Sequence, residues 1–212
     1  MSFDVAFNLF TPADAAKITG VSQTLQRNWR RHGYLPEGEG HTRFDVFSLA
    51  ELYALGMLAE RGVGPHQSVQ VVELLGAGMV WGALECFGAY EGPKSLLAYG
   101  ENTDEENAAI QHAKGGGFYL PDAPLDWLNK SDKYTRAAFR LNGFDKRVGR
   151  VIPARFFLWF PDGSHSWEQS VDHCFNSPNF HTDGPVIVLD QRALGRKMVA
   201  AAPRPFVKLK AD

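Results

Sequence analysis

Apolar residues along the first third of the chain recur at three- and four-residue intervals, the period of helices packed by one face. Phe10 to Pro36 reads as two short helices. Thr11 supplies an N-cap oxygen, and Pro12 loses nothing at the first helical position, where its missing N–H would be orphaned anyway. Asp14 suits the positive end of the helix dipole. "ADAAKI" carries this helix to Thr19-Gly20, where glycine takes the left-handed cap. Ser22 then caps a second helix, Gln23 to Arg31, closed by Gly33. Val21, Leu25 and Trp29 stand four residues apart and are expected in the core. That leaves Gln23, Thr24, Gln26, Arg27, Arg30 and Arg31 to solvent.

The polar, glycine-rich "PEGEGHTRFDVF" predicts a small hairpin or wing. "SLAE" opens a third helix as a capping box between Ser48 and Glu51, and Leu49, Leu52, Tyr53, Leu55, Met57 and Leu58 carry it to Glu60. "RGVG" breaks it, and Pro65 starts a fourth helix, His66 to Leu75. The next stretch, "GAGMVWGALECFGAYEGP", reads as helix or as helix plus strand. Glycine costs about 1 kcal/mol relative to alanine inside a helix. Gly76, Gly78, Gly82 and Gly88 therefore predict no long uninterrupted coil.

Further helices are expected over Asp104 to Lys114 and Ser131 to Asn142. "RFFLWF", the turn "PDGS" and "HSWEQSV" make a hairpin. "PVIVLD" is another strand, leading into the helix "QRALGRKMV". The tail "PRPFVKLKAD" is either an edge strand or a loose end. The expected fold class is α+β: an all-helical winged helix-turn-helix over 1–75, then a small α+β domain over 76–212.

Composition narrows the function. The 212 residues are 44% hydrophobic and 22% charged, ordinary for a folded chain. Lys and Arg number 22 against 24 Asp and Glu, for a net charge of -2. A nucleic-acid role must therefore rest on a local patch, not on the total. Arg27, Arg30 and Arg31, crowded on one short helix, are such a patch. Cys86 and Cys174 match no metal or disulfide pattern and read as thiols of a reducing compartment. "MSFDVAFNLF" lacks the features of a signal peptide, and no apolar run is long enough for a membrane span, so a cytoplasmic location is expected.

Taken in order, "FTPADAAKITGVS", "LQRNWRRHGYLP", "TRF", "FSLAELYAL" and "AERGVGPHQ" resemble the MerR family of winged-helix transcriptional regulators. The resemblance covers residues 10–75. It implies a first helix and turn, a recognition helix, a wing, a third helix, and a glycine-containing break before the fourth. Arg27 falls at the recognition-helix arginine and Trp29 at one of two aromatics that follow it, with Asn28 in place of the other. Arg43 falls at the wing arginine that contacts phosphate. The family's long dimer coil has no counterpart among the glycines after 75, so dimerisation is assigned to the C-terminal half.

On these grounds the chain is expected to be a DNA-binding transcription regulator and not an enzyme. Its partners would be double-stranded DNA, a second copy of itself and an unknown small-molecule effector. Gln23, Thr24 and Gln26 would read base edges, Arg27 a guanine or a phosphate, and Arg30, Arg31 and Arg43 would clamp the backbone. Related winged modules occur in phage excisionases and terminase small subunits, which gives a DNA-architectural alternative. A second alternative is a metal- or ligand-binding C-terminal domain. Asp162, His165, Glu168, Asp172, His173, Cys174, His181 and Asp183 supply donor types for zinc or iron, but their spacing fits no ligand motif. No cofactor is implied. The glycine-rich "KGGGF" lacks the ending of a phosphate loop, and Phe156, Phe157, Trp159, Phe160 and Trp167 read as core.

Overall fold

Thr11 and Asp14 start the first helix by exchanging hydrogen bonds. The Thr11 hydroxyl accepts from the Asp14 amide at 3.1 Å, and the Asp14 carboxylate accepts from the Thr11 amide at 3.0 Å. This reciprocal pair satisfies two orphan donors at once. The helix, α1 (Pro12–Thr19), ends at Gly20 with φ of 77°. A tight turn leads into α2 (Gln23–Arg31), capped by Ser22 and followed by Gly33 in the left-handed region. The computed structural model describes residues 3–35, 43–92, 154–176 and 183–211. Most of the expected wing, the helices expected over 104–114 and 131–142, and the "KGGGF" loop lie outside these residues.

Asp45, not Ser48, caps α3 (Val46–Ala59): its carboxylate accepts from the Ser48 amide at 2.7 Å, so the helix begins two residues before the expected capping box. The fourth helix is also shorter than expected. Only α4 (Pro65–Ser68) forms, and a turn separates it from α5 (Val72–Leu84). The glycines do not interrupt α5. Eleven of its thirteen residues are buried, so tertiary packing outweighs propensity. The boundary expected between 75 and 76 falls inside this helix.

The remaining elements are β1 (Phe3–Phe7), β2 (Tyr90–Glu91), β3 (Phe156–Trp159), β4 (His165–Glu168), α6 (Val171–Asn176), β5 (Ile187–Asp190), α7 (Gln191–Ala201) and β6 (Val207–Ala211). With a short 3-10 helix at Phe87–Ala89, these give the described residues a mixed α+β arrangement with two small three-stranded sheets. The expected hairpin forms as β3 and β4, with Trp159 opposite His165. Strand β5 pairs antiparallel with the other side of β3. The C-terminal tail is neither loose nor at an edge. It is the centre of the other sheet, antiparallel to β1 with Phe7 opposite Val207, and parallel to β2.

Helix α5 lies between α3 and α7, and its glycines mark where it meets them. A Cβ on Gly78 would overlap the Gln191 side chain, and one on Gly82 would strike the Arg192 Cα. On the opposing helix, a Cβ on Gly195 would run into Met79 O and lie 2.5 Å from Ala83 N. Beside this seam, Arg192 reaches Glu85 at 3.3 Å. Gln191 anchors the start of α7 by donating from Nε2 to Ala154 O at 2.8 Å. One apolar cluster runs from Phe10 through Leu55, Met79 and Met198 to Leu209. A smaller one holds Phe156, Leu158 and Phe160. Phe157 and Trp159 also bury as expected, and Trp167 packs half-buried against the larger cluster.

Two outcomes follow. Gly82→Ala in an exposed helix would stabilise by about 1 kcal/mol through propensity. Here overpacking against the Arg192 backbone should prevail, lowering stability by about 1–2 kcal/mol in urea unfolding. The second concerns Asp14, whose carboxyl is held below its usual range by the Thr11 amide, aided by Arg204 at 2.9 Å. A depressed carboxyl stabilises the fold above the unfolded value of about 3.9, and that contribution disappears as pH falls through the lower folded value. The urea midpoint of the wild type should therefore exceed that of Asp14→Asn at pH 7, with the gap closing below pH ~4.

Candidate nucleic-acid interface

The face that α2 shows to solvent is decided by what its other face must bury. Trp29 is buried in the core, as its spacing predicts. Its partner on that face is Gln26, fully buried, whereas Leu25 is 39% exposed. The expected assignment of Gln26 as a base reader is thus corrected. The reason is a backbone requirement. The carbonyls of Pro12 and Val21 both turn toward α2, and a buried carbonyl needs a donor. The Gln26 carboxamide supplies two N–H bonds, to Val21 O at 2.8 Å and to Pro12 O at 3.1 Å. Leucine has nothing to offer there and is displaced to the flank.

With that face fixed, Gln23, Thr24, Arg27, Asn28 and Arg31 are all exposed. Arg43 is exposed as well. It precedes Phe44, which exchanges two backbone hydrogen bonds of 2.8 Å with Phe10. Arg30 differs from its neighbours. It is half-buried, with its guanidinium 5.0 Å above the Phe44 ring, and burial pushes its pKa down. Arg30 therefore links α2 to the segment carrying Arg43. Arg27, Arg31 and Arg43 form no ion pair with the described residues. His32, at the end of α2, stacks on Tyr34 at 6.1 Å. Glu37, Glu39 and His41 lie outside the described residues.

The helix therefore presents a polar and cationic surface on one side of a firmly seated body. In proteins that bind duplexes, arginines of this kind meet phosphates, and amide and hydroxyl side chains meet base edges.

Among its described residues the donor-rich C-terminal stretch does not gather. No group of three or more His, Cys, Asp or Glu among the described residues could hold a metal ion. Asp162 accepts from the Ser164 amide at 2.9 Å and hydroxyl at 2.7 Å, closing the hairpin turn. His165 stacks on Trp159 across the strands. His181 lies outside the described residues. Among the described residues no helix is long and apolar enough to cross a membrane.

Gln26→Leu keeps the bulk but strips both carbonyls of their donor. An unsatisfied buried group costs about 1–3 kcal/mol, so a loss of that order is expected in denaturant unfolding. An unchanged midpoint would show that the amide does not hold the turn. No family model, curated protein or solved structure matches the chain, so the case for a function rests on these residues themselves.

Proposed function

We propose that the chain is a DNA-binding transcription regulator of MerR-like type, with α1 and α2 as a helix-turn-helix and the segment before Phe44 as its wing. In this reading α2 enters the major groove. The observation that carries it is the exposed set Thr24, Arg27 and Arg31 on α2 with Arg43 beside it, in a chain of net charge -2. Arginines left without carboxylate partners among the described residues, opposite a face pinned by Gln26 and Trp29, form a rigid local cationic surface. Rigid display matters because side chains that read bases must be positioned before contact.

Arg27 grips a base edge or a nearby phosphate, and Arg31 and Arg43 meet the backbone. Gln23 and Thr24 supply further polar contacts near the start of the helix. Arg30 acts chiefly as a support under Arg43, by way of Phe44. One recognition helix offers few base contacts, so useful specificity calls for a homodimer on a two-fold site. Helix α5 is enclosed by α3 and α7 and does not serve as a dimer coil, which assigns the contact to other surface of the C-terminal half.

The test is binding to the duplex upstream of the chain's own coding sequence, repeated across salt concentrations. Arg27→Ala should weaken specific binding by about 1–3 kcal/mol if it reads a base. Arg43→Ala should weaken binding to all sequences alike and reduce the salt slope by about 1. Unchanged affinity in both variants removes the reading.

A further inference from the structure

Asn28, exposed on the free side of α2, is absent from the roles just assigned. Successive helical residues are about 100° apart. Measured from Gln26, Trp29 falls about 60° to one side and the half-buried Arg30 about 40° to the other. The middle of the free face then holds Thr24, about 160° from Gln26, with Asn28 about 40° beyond it on one side and Arg31, then Arg27, on the other. Gln23 lies only about 60° from Gln26, at the edge of the stripe. Thr24 and Asn28 are one turn apart on the side turned away from the body.

Asn28 is also costly where it stands. Asparagine is a poor helix-interior residue unless its side chain bonds locally. The Asn28 carboxamide forms no hydrogen bond with the described residues, and its backbone carbonyl accepts from His32 N at 3.2 Å. A free carboxamide offers a donor and an acceptor side by side. That pair matches one base edge of the major groove, adenine, whose N7 accepts while its N6 amino group donates.

Resting on the DNA-binding reading above, we infer that Asn28 is a specificity-determining residue that reads an adenine in the major groove through paired hydrogen bonds, Nδ2–H to N7 and Oδ1 from N6–H. Arg27 and Arg31, together on one flank, hold the helix against the phosphates of one strand. Thr24 and Asn28 are thereby directed at the base edges.

The probe is the duplex recovered by selection from a randomised pool with the full-length wild-type chain. Asn28→Ala should bind that duplex about ten- to a hundredfold more weakly, while its affinity for unselected duplex and its salt slope stay unchanged. Replacing adenines one at a time by 7-deazaadenine removes N7 without touching the protein. At one position this should weaken the wild type but not Asn28→Ala. Equal losses for both proteins at every position, or an unaltered preference in Asn28→Ala, would overturn the inference while leaving DNA binding intact. Failure of the wild type to bind any duplex would overturn the functional reading with it.

Discussion

Two helices pack within backbone contact only where neither carries a side chain in the way, and the seam between α5 and α7 imposes that constraint. Gly78 and Gly82 stand one turn apart on α5, and Gly195 answers them from α7. Their closeness encloses α5, whose other side meets α3 at Gly76, where a Cβ would lie 3.0 Å from Glu51 N. From α3 the packing continues outward: Val21, in the turn before α2, sits against Gly56. The orientation of α2 therefore depends on a stack that begins at the C-terminal helix. The ion pair of Arg192 with Glu85, both poorly exposed, adds direction to the same seam.

The chain's start and finish reinforce this dependence. Arg204 sits over the Phe10 ring at 5.2 Å and pairs with Asp14, so the segment before β6 is fastened to the first turn of α1. Asn8 donates to Pro205 O and Phe206 O, continuing the ladder of β1 and β6. Asp14 consequently serves two purposes, a helix cap and an anchor for sequence far away. The surface of α2 gains its rigidity from contacts that span nearly the whole described chain.

Local chemistry was legible in the sequence, and long-range chemistry was not. Thr11, Pro12, Gly20, Ser22 and Gly33 mark α1 and α2 because caps and left-handed turns depend on neighbours within a few residues. The hairpin at "PDGS" and the helix beginning at Gln191 were visible for the same reason. Helix α5 stops at Leu84, short of a long coil, yet propensity counts what glycine costs in a lone helix and not what its absent side chain admits. Gln26 and Leu25 exchanged places because hydropathy cannot show two carbonyls waiting across a turn. Within the candidate site, the exposed arginines follow from composition and period. The outward place of Asn28 needed Gln26 to be located first.

The pairing of Phe7 with Val207 carries a consequence for biosynthesis. A nascent chain grows by about 5–20 residues per second, so the earliest strand waits on the order of ten seconds or more for its mate to leave the ribosome. Through that interval α5 has no α7 against it, and the apolar flank of the early helices stays wet. Completion of this sheet is thereby deferred until β6 has emerged, long after β1 was made.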